Sequence, residues 1–73
     1  MKEVTVKNTV EVTQEEKTIV LKLSKGEKAE NIGKYLGHPA GTFATMLRDI
    51  RLKYGCANSV ELVAYFLRQG IIN

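Results

Sequence analysis

This chain of 73 residues has no tryptophan and only one cysteine, one histidine and one proline. A lone thiol, Cys56, cannot close an internal disulfide, and Cys56 with His38 is too few ligands for a structural zinc site. No apolar run approaches the ~18 residues of a membrane-spanning helix. No basic-then-apolar opening marks a secretory leader either. A soluble, cytoplasmic protein is expected. Nucleophile elbows, glycine-rich phosphate loops and metal-ligand spacings are all missing. Ser59, His38 and Asp49 could be named as a triad, but no nucleophile elbow or cleft accompanies them, so neither catalysis nor a bound cofactor or metal is expected.

What is present suits one small folded domain. Hydrophobic residues make up 44% and charged residues 26%, a balance that favours a core over disorder. So short a chain buries only about 60% of the surface it exposes when unfolded. Without staples, it depends on regular helix packing or on a partner. Net charge is +3, unevenly placed. Residues 1–31 hold six Lys and six Glu, whereas 32–73 carry Lys34, Arg48, Arg51, Lys53 and Arg68 against Asp49 and Glu61. That asymmetry suits an anionic partner such as nucleic acid, although a solvated surface would carry the same charges.

Local pattern divides the chain at about residue 12. In residues 2–12, Val4, Val6, Val10 and Val12 alternate with polar residues, which predicts a β arm over 1–12, continuous or folded into a hairpin at Lys7-Asn8. From residue 13 to 73 the period becomes helical. Thr13 with Glu16 is a capping box, Ile19, Val20 and Leu23 share a face, and Gly26 ends the first helix. A second helix is expected over Lys28–Leu36, with Gly33 marking a close helix approach. After Gly37-His38-Pro39-Ala40-Gly41, a third helix (about 42–54) places Phe43, Met46, Leu47, Ile50 and Tyr54 on one stripe. Ala44, Thr45, Arg48, Asp49 and Leu52 then point away. Asn58 and Glu61 cap a fourth helix that closes at Gly70. There Val60, Val63, Ala64 and Leu67 read as the core stripe. Leu62 and Phe66 widen the apolar arc, the mark of an interface or of a face that the valine arm covers.

The fold class is therefore mainly α: four short helices with a sharp turn between the second and third. Over Thr13–Ile72 the chain resembles, without gaps, the helix-turn-helix DNA-binding domain of LuxR-type (GerE-like, NarL/FixJ-type) transcription regulators. The resemblance rests on Val12-Thr13-x-x-Glu16, Gly26, Ile32, Leu36-Gly37, Thr42-Phe43, and Ile50 through Lys53-Tyr54-Gly55. Glu61-Leu62-Val63-Ala64-Tyr65 and Gly70-Ile71-Ile72 complete it. It implies a stand-alone member, since the short arm leaves no room for a sensor domain.

It also implies a sequence-specific regulator of transcription that puts its third helix into the major groove of double-stranded DNA. Ala44, Thr45 and Arg48 fall at the base-contacting positions, and Thr42, Arg51 and Lys53 are the candidate phosphate contacts. A homodimer is expected through the last helix, using Leu62, Tyr65, Phe66 and Gln69. Where the family often carries Lys, His and a basic residue, this chain has Ala44, Met46 and Ser59, and Asp49 adds a negative charge. Those departures frame the alternative: a protein partner, with the chain as an adaptor or antagonist of a larger regulator.

Overall fold

The computed structural model describes residues 11–73, which form four helices and no strand. They are α1 (Gln14–Ser24), α2 (Ala29–Tyr35), α3 (Ala40–Lys53) and α4 (Ser59–Arg68). The expected β arm falls outside the described residues except for Glu11 and Val12, which belong to no regular element.

Both halves of the capping box start α1. The Thr13 hydroxyl accepts the Glu16 amide at 3.1 Å, and the Glu16 carboxylate accepts the Thr13 amide at 3.1 Å. At α4, Asn58 Oδ1 accepts the Glu61 amide at 2.9 Å, while Glu61 reaches one residue further back to the Ala57 amide at 2.8 Å. Each helix ends in a pair of reversed hydrogen bonds around a glycine in the left-handed region. After α2 the Gly37 amide bonds Lys34 O at 3.1 Å, and the His38 amide bonds Gly33 O at 2.9 Å. That closure turns the chain sharply enough for Pro39 to begin α3 almost at once. α3 starts at Ala40, ahead of the expected Thr42, because Pro39 already holds φ −61° and its carbonyl accepts the Phe43 amide at 2.9 Å.

α1 packs on α4 and α2 on α3, with a further contact between α1 and α2. The shared core is Ile19 and Val20 of α1, Ile32 of α2, Phe43, Leu47 and Ile50 of α3, Leu62 and Phe66 of α4, and Ile72 beyond it. Gly33 makes the α2–α3 contact possible. A Cβ placed there would stand 3.1 Å from both Cβ and Cγ of Phe43.

The rotation of α4 corrects the sequence reading. Leu62 and Phe66 are 0% exposed, whereas Val60 is 78% and Leu67 47% exposed. A wide apolar arc leaves the inward sector undetermined, and the packing decides it. Phe66 meets the Tyr54 ring edge-on at 5.1 Å, and Ile71 and Ile72 fold back so that both amides reach Phe66 O.

Candidate nucleic-acid interface

α3 has one face in the core and one in solvent. Phe43, Leu47 and Ile50 are buried, while Thr42, Ala44, Thr45, Arg48, Asp49 and Leu52 are exposed and Arg51 is half-buried. The structure thus brings Ala44, Thr45 and Arg48 together on one open helical surface, with Thr42 before them and Arg51 beyond. The Thr45 hydroxyl donates to Gly41 O at 3.3 Å. Among the described residues, neither Arg48 nor Arg51 forms a salt bridge. No side chain caps the start of α3 and no acid stands in its first turn. Its leading amides and positive dipole end are therefore uncovered by acidic groups of the helix itself.

Lys53 is placed differently. Its ammonium donates to Glu16 Oε2 at 2.8 Å and to Glu11 O at 2.9 Å. Tyr54 donates its hydroxyl to Glu16 Oε1 at 2.6 Å, the oxygen that also accepts the Thr13 amide. Burial by itself would raise the Glu16 pKa. The hydrogen bonds from Lys53, Tyr54 and Thr13, with the Lys53 charge, outweigh burial and hold the carboxyl below its ordinary value. Burial and the adjoining Glu16 carboxylate push the Tyr54 phenol up, so it stays a donor. The charge of Lys53 is thus spent within the fold, leaving Arg48 and Arg51 as the cations of the open face.

A second tie acts at the other end of α3. His38, in the turn that precedes the helix, meets Glu15 Oε2 through Nε2 at 2.9 Å. Adjacent carboxylates in the first turn of α1, Glu15 and Glu16, therefore brace opposite ends of α3. Sequence reasoning found neither tie. The partners lie 23 and 37 residues apart, and the capping box already accounted for Glu16.

The dimer residues divide. Leu62 and Phe66 are sealed in the core and have no surface to offer a partner, which corrects their assignment to an interface. Tyr65 is half-buried, its ring tilted by 39° against that of Tyr54 with centroids 5.6 Å apart, while Gln69 is exposed. The open apolar stripe of α4 is Val60 and Leu67, with half-exposed Val63 and Ala64 between them. Cys56 is half-buried, and its thiol is pushed up in pKa by burial and by the Glu61 charge, against the opposing pull of Arg68. It remains a protonated, poorly nucleophilic group.

No cluster of acidic, histidine or cysteine side chains suited to a metal occurs among the described residues. No helix there is long and apolar enough to cross a membrane. Comparison of the chain with protein-family models, curated proteins and solved structures finds no match.

Proposed function

We propose that this chain is a sequence-specific DNA-binding regulator of transcription, of the LuxR-type helix-turn-helix class, acting as a homodimer. The observation that carries the reading is the open outer face of α3. A helix clamped along its inner side and at both ends presents Thr42, Ala44, Thr45 and Arg48 to solvent, with half-buried Arg51 at their edge. In this reading α2 crosses the DNA backbone and α3 enters the major groove. Ala44, Thr45 and Arg48 meet base edges, with the Arg48 guanidinium paired to a guanine. Thr42, Arg51 and the leading amides of α3 hold phosphates. Lys53 supports the geometry from behind through Glu16. Two copies pair through the α4 stripe of Val60, Ala64 and Leu67, which sets two half-sites about one DNA turn apart.

Selection from random duplex DNA across a salt series tests this. Affinity that falls steeply with salt, together with enrichment of a paired half-site, is the expected result. Arg48→Ala should weaken specific binding by about 1–3 kcal/mol and relax the preference at one base pair. Arg51→Ala should weaken binding to all sequences and lower the salt slope by about one.

A second reading draws on the exposed side chains of Leu52, Val60 and Leu67. A protein-interaction adaptor or antagonist would use such apolar surface against a protein partner. Negligible duplex binding at low salt by a folded domain would favour it.

A further inference from the structure

Away from the open face of α3, a cleft of about 360 Å³ lies where the turn after α3 meets α4. That size admits a small organic molecule. From α4 it is lined by Ala64, with Glu61 about one turn before and Arg68 one turn after, and by Tyr65. Tyr54, Gly55 and Cys56 line it from the turn. The Tyr54 hydroxyl is committed to Glu16 at 2.6 Å, so Tyr54 offers its ring rather than a free donor. Gly55, at φ 69°, has no side chain to narrow the opening. The two formal charges stand at opposite ends. Glu61 and Arg68 are two helical turns apart, about 10.5 Å along the axis. Glu61 gives Oε1 to the Ala57 amide at 2.8 Å, and its Oε2 has no partner among the described residues. Arg68 is exposed and forms no salt bridge among them.

From this arrangement we infer that the cleft binds a single-ring aromatic acid with a hydroxyl opposite its carboxylate, the 4-hydroxybenzoate class. Arg68 takes the carboxylate, since a guanidinium presents paired donors that match its two oxygens. The ring lies over Ala64, whose single methyl leaves room for it, and meets the rings of Tyr54 and Tyr65. Those two rings have centroids 5.6 Å apart and are tilted by 39°. Glu61 accepts from the ligand hydroxyl, because an ionised carboxylate offers acceptors only. A second carboxylate at that end would be repelled by Glu61, so a dicarboxylic acid does not suit the cleft. One ring with a polar group at each end, plus a hydrogen bond of about 2.8 Å at each, spans the separation of the two charges. Cys56, kept protonated by burial and by the Glu61 charge, adds a soft, weakly polar surface rather than a competing anion. The cleft touches both the end of α3 and α4, so its occupant contacts both elements. This inference does not depend on α3 entering DNA.

The test follows backbone amide shifts of the full chain by NMR during titration with 4-hydroxybenzoate. The expected result is saturable movement of the Gly55, Cys56, Ala64 and Tyr65 amides, with a Kd on the order of 1 mM, as a small ligand in an open cleft allows. The uncharged analogue 4-hydroxybenzamide should bind at least about fivefold more weakly, the worth of the charge-assisted pairing with Arg68. Arg68→Gln should erase that difference between acid and amide. Ala64→Leu, which fills the cleft without touching a charge, should abolish binding of both. Circular dichroism matching the parent keeps each variant comparison free of unfolding, and the acid-against-amide comparison needs no variant at all. Shifts that grow linearly to about twenty times the expected Kd overturn the inference. So does saturation confined to amides away from the cleft, equal binding of acid and amide by the parent chain, or undiminished binding in Ala64→Leu.

Discussion

Glu16 shows how one side chain holds several elements at once. Its carboxylate completes the α1 cap, pairs with Lys53 and accepts the Tyr54 hydroxyl. Glu16→Gln keeps the capping geometry, since glutamine also serves a capping box. It removes the charge that Lys53 and Tyr54 engage, and should cost about 1.5–3 kcal/mol in urea unfolding, the range for hydrogen bonds to charged groups. The pH dependence follows from the lowered Glu16 pKa. A carboxyl that holds its proton less tightly when folded stabilises the fold fully above its ordinary value of 4.5, and that stabilisation is lost as pH falls through the folded-state pKa. Acid titration should therefore show a steeper loss of stability below about pH 4.5 in the parent chain than in Glu16→Gln. Gly33 is the other telling residue. Alanine there gains helix propensity but sets a Cβ 3.1 Å from a fully packed Phe43. Because Phe43 is locked in the core, overpacking prevails, and Gly33→Ala should lower stability by about 1 kcal/mol.

Among the elements, α4 offers the sharpest contrast between pattern and packing. Leu62 and Phe66 lie one turn apart and bury completely, while Val60 and Leu67 sit roughly on the opposite side of the helix. Phe66→Ala should cost about 3–5 kcal/mol, close to everything so small a domain has, and thermal melting should show it largely unfolded. Leu67→Ala, on the exposed side, should change stability by less than about 1 kcal/mol. Val60→Asp should leave the fold intact and, in the proposed dimer, shift sedimentation to the monomer. α3 is the complementary case. Its inner stripe was legible from spacing, since Phe43, Leu47 and Ile50 recur at the helical period and all three are buried. Its outer stripe followed by subtraction.

At the scale of the whole molecule, helices joined by short closures make a set of pairwise packings, α1 with α4 and α2 with α3, around a cluster of nine buried apolar side chains among the described residues. Ties between distant segments then set the orientation of α3. Glu15 meets His38 before it and Glu16 meets Lys53 at its end. The Glu15–His38 contact is solvent-exposed, so Glu15→Ala alone should cost at most about 1 kcal/mol, less in high salt. In the proposed DNA complex its larger effect should fall on affinity, because a looser turn would let α3 rock against the groove.

Caps and stops are local, which is why the sequence by itself determined them. Thr13 with Glu16, Asn58 with Glu61 and the glycines after each helix act within five residues of where they stand, so four helices and their approximate bounds could be read directly. Gly33 was legible as a close approach because a mid-helix glycine has few other uses. What only the tertiary structure decided depends on residues far apart in the chain. An apolar arc as broad as that of α4 is compatible with more than one rotation, and contact with Tyr54 and Ile72 selected the one that buries Leu62 and Phe66. Lys53 read as a free surface cation until Glu16 arrived from α1 to neutralise it, and His38 had no acid near it until the fold supplied Glu15. Spacing carries hydrogen bonds that close within a turn. Ion pairs and helix rotations depend on which surfaces meet, and that is settled only when the core closes.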